Sequence, residues 1–338
     1  MRIAILSPIA WRTPPESYGP WEQVASTITE GLVEKRHEVS LFASGNSITA
    51  AKLEAVCELP YEMDSSSDPK VQECLHISNL MEQADDFDII HNHFDFLPLT
   101  YSKLIKTPMI TTIHGFSSPK IIPVYKKYNA SSAYISISNA DRCSELTYLD
   151  TIYHGVDPAL FTFQNNKEGY LLYFGRIHPE KGLDKAITIA EKADLPLKIA
   201  GLIQDEFYFK TEIEPRINGS SIQYLGNLGK DARDLVLGGA KGLLHPISFE
   251  EPFGLSVLEA MMCGTPVIAF SRGSMPELID DGVSGFLVHS IEEAVAAVKN
   301  LDQINPMQCR SHAEKNFSRD RMIESYEEAY KKVLMASS

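Results

Sequence analysis

This 338-residue sequence predicts an α/β chain of two doubly wound domains facing one another across a cleft. Three observations lead there. At about 150 residues per domain the length suits two domains, each able to bury a core. Short continuous apolar runs alternate with stretches of helical apolar spacing, the pattern of parallel strands covered on both faces by helices. The same alternation restarts after His154-Gly155-Val156-Asp157, so the unit occurs twice.

In the first half, residues 2–7 read as a buried strand. Residues 20–35 follow as a helix with Trp21, Val24, Ile28 and Leu32 on one stripe. Strands are expected at 39–43, 88–91, 108–114 and 134–138. The polar stretch 157–169, with Pro158, Asn165, Asn166 and Gly169, reads as the boundary. In the second half the expected strands are 170–174, 197–200, 222–225, 242–245 and 267–269. Residues 320–334 carry Met322, Ile323, Tyr326, Tyr330 and Val333 at helical spacing. That helix can fold back on the first domain. The predicted domains are therefore residues 1–156 with 320–338, and residues 157–319. Residues 65–69 read as a plain loop.

Composition narrows the functional classes. Lys plus Arg number 31 and Asp plus Glu 45, a formal charge of 31 − 45 = −14. This argues against a nucleic-acid partner, which needs cations against phosphates. Apolar content of 44% and charged content of 22% fit a folded globular chain rather than a disordered or fibrous one. The five cysteines (57, 74, 143, 263 and 309) include no C-x-x-C, so neither a disulfide framework nor a zinc knuckle is expected. No apolar run approaches the ~18 residues of a spanning helix, and the apolar start is too short for a signal peptide. A cytoplasmic protein is the expectation.

Two motifs carry chemistry. In the first, Glu251 and Glu259 bracket Pro252-Phe253-Gly254-Leu255-Ser256-Val257-Leu258. A strand runs into a loop here, and a helix opens near Gly254 with Leu255, Leu258 and Met262 as its buried stripe. Gly264 ends it. The start of such a helix presents free N–H groups and a positive dipole end, a seat for phosphate. Alone, the motif reads better as a capped helix with two surface carboxylates. The second motif is Gly175-Arg176-Ile177-His178-Pro179-Glu180-Lys181-Gly182, directly after a strand. It puts Arg176 and Lys181 at the carboxyl edge of the sheet, where ligands bind in such folds. Two cations there can neutralise a diphosphate leaving group.

Together these residues resemble the family-4 retaining glycosyltransferases of the GT-B fold. Glu251 to Glu259 matches their E-x7-E pattern, and Gly175-Arg176 to Lys181 matches the preceding glycine–arginine and lysine pattern. Further stretches extend the resemblance: Tyr18-Gly19-Pro20-Trp21-Glu22, Arg36-His37-Glu38-Val39, Asp88-Ile89-Ile90-His91, Thr112-Ile113-His114-Gly115, Ser138-Asn139, Gly226, Gly273-Ser274-Met275-Pro276-Glu277 and Gly282-Val283-Ser284-Gly285. The resemblance implies a retaining transfer of a hexose from a UDP- or GDP-sugar to a hydroxyl acceptor, with no metal or other cofactor. Arg176 and Lys181 would bind the diphosphate and Glu259 the ribose. Glu251 would contact the transferred sugar, with Phe253, Gly254, Leu255 and Ser256 supplying nearby donor contacts. His114 would face the sugar from the first domain. The family has two adjacent glycines in the first loop, whereas this chain has Gly19-Pro20. Pro20 has no N–H to offer a ligand and suits the first helical position, with Gly19 as its cap and as a point of close ligand approach.

The stretch His91-Asn92-His93-Phe94-Asp95 has three readings, the plainest being strand-end packing without a ligand. If extended, it sets His91, His93 and Asp95 on one face, with His114 as a fourth metal ligand. That would suit a metal-dependent hydrolase. The family resemblance instead makes His91, His93 and Asn139 acceptor-side residues. Asp86-Phe87-Asp88 resembles a metal-binding D-x-D but reads as a solvated helix end before a strand. Remaining alternatives are an epimerase or sucrose-synthase-like activity, and a two-lobed sugar-binding protein without catalysis. Finally, residues 100–142 hold six cations against Asp141 alone, net +5. With Ile121, Ile122, Val124 and Tyr125 nearby, this stretch reads first as a solvated loop and helix face, so membrane association is not expected, while a lipid-linked acceptor stays open.

Overall fold

In the computed structural model, which describes residues 1–16, 18–116 and 118–337, the chain divides into two compact units. One comprises residues 1–155 with 319–338 and the other residues 156–318. Ser338, at the end of the predicted C-terminal segment, lies outside the described residues.

The first unit is built on strands β1 (Arg2–Leu6), β2 (Glu38–Phe42), β3 (Lys52–Glu54), β4 (Ile89–Asn92), β5 (Met109–Ile113), β6 (Ala133–Ser136) and β7 (Asp150–Thr151). They lie in the order β3-β2-β1-β4-β5-β6-β7, every neighbouring pair parallel. Ile3, Ala4, Ile5 and Leu6 are wholly buried, as a strand covered on both faces requires. Its helices are α1 (Pro20–Glu34), α2 (Pro69–Glu82) and α3 (Ile122–Tyr128). Gly19 caps α1 at φ 146°, with Pro20 in the first turn. Asp68, read from sequence as loop, caps α2: its carboxylate accepts the N–H groups of Lys70 and Val71.

The second unit holds β8 (Leu171–Phe174), β9 (Leu197–Ala200), β10 (Ile222–Tyr224), β11 (Gly242–His245), β12 (Val267–Phe270) and β13 (Gly285–Val288). Their order is β10-β9-β8-β11-β12-β13, again all parallel. Between them run α4 (Leu183–Ala193), α5 (Glu206–Tyr208), α6 (Lys230–Gly239), α7 (Leu255–Met262) and α8 (Met275–Leu278), and α9 (Ile291–Asn300) and α10 (Pro306–Phe317) follow β13. The chain then returns to the first unit as α11 (Arg319–Ser337). In α11 the predicted stripe of Met322, Ile323, Tyr326, Tyr330 and Val333 is buried.

Both sheets reverse direction of winding once, between β1 and β4 and between β8 and β11. At such switch points the loops leaving the carboxyl ends of the two strands diverge and open a crevice for ligand. The loops after β1, β4, β8 and β11 are therefore the ones that matter for function. Strands β3, β7 and β13 were not predicted. All three lie at the outer positions of their sheets.

Helices α1 and α11 meet at Gly31, where a Cβ atom would sit 2.6 Å from Ile323 Cγ1. Ile323 is itself buried and has nowhere to move. Gly31→Ala should therefore cost about 1–3 kcal/mol by overpacking, read as a lower denaturant midpoint with unchanged slope. An unchanged midpoint would contradict this packing.

Candidate active site

In the second unit, the loops after β8 and β11 bring Lys181 and Glu251 together. Lys181 ends a short turn of 3-10 helix, Pro179–Lys181, and Gly182 follows at φ 71°. A Cβ on Gly182 would come 2.2 Å from the Pro246 carbonyl oxygen, so only glycine lets the two loops touch. The Ser248 N–H donates to the Glu180 carbonyl at 2.8 Å and ties them further. A third loop, after β12, clamps the other side. There Gly273 sits at φ 54°, a Cβ would fall 2.3 Å from Glu251 N, and the Ser274 N–H donates to the Glu251 carbonyl at 2.9 Å.

Lys181 Nζ lies 2.5 Å from Glu251 Oε2 and 4.5 Å above the Phe249 ring. Glu251 is 8% exposed. Burial alone would raise its carboxyl pKa. His245, with Nε2 at 3.5 Å, and the Lys181 ammonium outweigh burial and lower it to about 2. Of these two, the short Lys181 contact is the stronger partner, because the His245 distance is long for a hydrogen bond. Glu251 is thus an ionised carboxylate in a nearly dry setting.

Glu259, on α7, is also buried rather than a surface carboxylate. Burial raises its pKa, and Arg233 of α6, 3.4 Å from Oε1, works against that. Sequence reading missed Arg233, since nothing local marks α6 as a neighbour of α7. Gly254 caps α7 in the left-handed region at φ 98°. The helix then starts at Leu255 and Ser256, whose N–H groups precede any intrahelical acceptor. Phe253 is packed inside, its carbonyl accepting the Ser274 hydroxyl at 2.6 Å. Leu255 is only partly buried, while Val257, Leu258, Ala260, Met261 and Met262 are all buried, so α7 is apolar nearly all round. Arg176 donates to the Gln204 side-chain oxygen and is partly exposed. Its loop is held by another glycine that sequence reading passed over. Gly201 has φ 151°, and a Cβ there would meet the Gly175 carbonyl oxygen at 1.8 Å.

In the first unit, four histidines form a buried chain. His93 Nδ1 lies 2.9 Å from His114 Nε2, and His114 Nδ1 lies 3.3 Å from His154 Nε2. His93 Nε2 lies 3.3 Å from His91 Nδ1. His91 also meets Tyr330 Oη at 2.7 Å and Thr112 Oγ1 at 2.8 Å, and Thr112 in turn meets Tyr326 Oη at 2.8 Å. Burial pushes all four imidazoles down, His154 to about 3, so they are neutral at physiological pH. A neutral imidazole has one donor and one acceptor nitrogen, which suits such a chain.

Three expectations change here. His91 and His93 are 0% exposed, so they do not line an acceptor surface. Both ring nitrogens of His114 are already hydrogen-bonded to histidines, and Trp21 stacks on its ring at 5.4 Å and 20°. Its side chain therefore has no uncommitted nitrogen for a sugar. The metal reading also fails on geometry. β4 ends at Asn92, and Asp95 turns away at φ 86°, its carboxylate accepting the Tyr125 hydroxyl at 2.5 Å. Tyr125 is itself part of the apolar core rather than of an exposed basic face. Among the described residues no group of three or more His, Cys, Asp or Glu is placed to hold a metal ion. Asn139 is exposed, with its amide 3.2 Å from Tyr153 Oη. Glu22 is buried, accepts the Trp11 N–H at 3.2 Å, and is raised by burial to about 7.

Two parallel doubly wound α/β units of this kind are the architecture of the GT-B fold. Residues 22–160 match the family model for Glycosyltransferase Family 4, and residues 161–318 match that for Glycosyl transferases group 1. The chain belongs to this family of glycosyltransferases and is a transferase enzyme. An uncharacterized glycosyltransferase of Methanocaldococcus jannaschii is 23% identical over 86% of this chain and 85% of its own length. The O-antigen chain mannosyltransferase B of Escherichia coli is 29% identical over 54% of this chain and 48% of its own. Among solved structures, sucrose-phosphate synthase from Thermosynechococcus elongatus superposes with a TM-score of 0.81 at 16% identity, with full coverage of both chains (100% each). HepE of Anabaena, solved with UDP-glucose, superposes with a TM-score of 0.73 at 18% identity over 98% of this chain and 100% of its own.

The histidine chain makes a direct prediction. The ring C–H resonances of His91, His93, His114 and His154 should not shift between pH 5.5 and 8 in an NMR titration. Titration of any of them near 6.5 would contradict the neutral, buried network.

Proposed function

We propose that this protein moves a hexose from a UDP- or GDP-linked donor to a hydroxyl of a small-molecule or glycan acceptor, in the cytoplasm, with retention of anomeric configuration. The observation that carries this reading is the buried Lys181–Glu251 pair beside the N-terminus of α7, at the switch point of the second sheet. The UDP-glucose complex of the HepE neighbour and the mannosyltransferase relative support the donor class.

The chemistry follows from the charges. A departing nucleoside diphosphate develops negative charge on its β-phosphate oxygens. Lys181 and Arg176 supply two cations and the start of α7 supplies N–H donors, so the positive field needs no metal ion. A diphosphate reaching Lys181 competes with Glu251 for the same ammonium. Glu251 stays ionised and favours positive charge developing on the sugar as the C1–oxygen bond breaks. The acceptor oxygen bonds to C1 from the face the phosphate leaves, and its proton passes to the departing phosphate oxygen. Glu259 accepts the ribose hydroxyls.

Glu251→Gln and Lys181→Ala should each lower turnover roughly 100-fold or more. Chelation with EDTA should leave the wild-type rate unchanged. Near wild-type rates in both variants, or a rate abolished by chelation and restored by a divalent ion, would contradict the assignment.

A further inference from the structure

The loop leaving β1 and the residue following β5 hold an aromatic surface that the donor chemistry does not use. Trp21 stands in the first turn of α1, beside the switch point between β1 and β4. It is partly exposed. Its ring lies on the His114 ring, centroids 5.4 Å apart and nearly parallel at 20°. His114 cannot rotate without breaking its bonds to His93 at 2.9 Å and His154 at 3.3 Å. The backbone beneath Trp21 is equally fixed. Gly19 is hemmed in, with a Cβ there 2.9 Å from Pro15 Cβ, its carbonyl accepts the Gln23 N–H at 2.9 Å, and Pro20 locks the first helical position.

The buried histidine chain thus carries an indole stacked on His114, near the carboxyl edge of the sheet where ligands enter. An aromatic face is electron-rich, and one face of a pyranose ring is a patch of weakly positive C–H groups bordered by hydroxyls. A rigid indole binds such a face with little loss of side-chain freedom. We infer that Trp21 is the stacking platform for the acceptor saccharide, held flat by His114, and that it sets acceptor recognition in this enzyme. The inference rests on the transferase reading above. It replaces buried His91 and His93 as the acceptor-side element.

The chain has two tryptophans, at 11 and 21, so Trp11→Phe leaves Trp21 as the sole indole reporter. Methyl glycosides of glucose, galactose, mannose and N-acetylglucosamine are titrated against that variant, and tested as acceptors for wild type with UDP-glucose and GDP-mannose. At least one glycoside should change Trp21 emission saturably. For an accepted glycoside, Trp21→Ala should raise the acceptor KM roughly tenfold and leave the donor KM and acceptor-free donor hydrolysis within about threefold. Trp21→Phe should restore most of the loss. Emission unmoved by every glycoside, an unchanged acceptor KM in Trp21→Ala, or a raised donor KM instead would overturn the platform. Saturable Trp21 emission changes without any glycosyl transfer would uphold it and contradict the transferase chemistry proposed above.

Discussion

A carboxylate and an ammonium, mostly withdrawn from water, organise the second unit. The Glu251 and Lys181 side chains are 11% and 14% exposed. Either charge alone at that depth would cost several kcal/mol of lost hydration. Their contact offsets the cost only if the two loops approach closely, and that approach depends on two positions without a side chain. Gly182 meets Pro246, and Gly273 meets the backbone of Glu251 itself. The close approach of the loops after β8, β11 and β12 keeps this pair intact. A buried pair is weak evidence for stability. Its position at the sheet's switch point makes it evidence for function instead.

The first unit solves a polar problem the opposite way. It buries four imidazoles, two tyrosine hydroxyls and a threonine hydroxyl without a formal charge among them. Each group satisfies the next, so the network specifies one arrangement of β4, β5 and α11. The C-terminal helix is thereby more than an apolar cover: Tyr326 and Tyr330 terminate the chain that fixes His114 and, through it, Trp21. One unit holds a charged, electrostatically active centre, and the other a neutral, rigid scaffold under an aromatic face.

Much of this was legible in sequence. Continuous apolar strands and the restart after Asp157 specified two parallel α/β layers, because strands covered on both faces leave no polar alternation. The motif spacing also located Lys181, Glu251 and the start of α7. What did not show was burial. The spacing places Glu251 just before the helix and Glu259 just over one turn inside it, but only tertiary packing withdraws them from water and supplies Arg233. Alternation correctly made neighbours of His91 and His93. It failed at Asp95, because β4 stops at Asn92 and the next turn reverses the side chain. Of the four edge strands, β10 showed in the sequence while β3, β7 and β13 did not, since pairing with a neighbour, not local periodicity, defines them.

The central claim is that Lys181 and Glu251 act as one unit. A double-mutant cycle on donor-dependent kcat/KM tests it directly, comparing Lys181→Ala, Glu251→Gln and the combined variant. Coupled residues should give a combined loss within about threefold of the worse single variant. Losses that multiply would show two independent contacts and contradict the account.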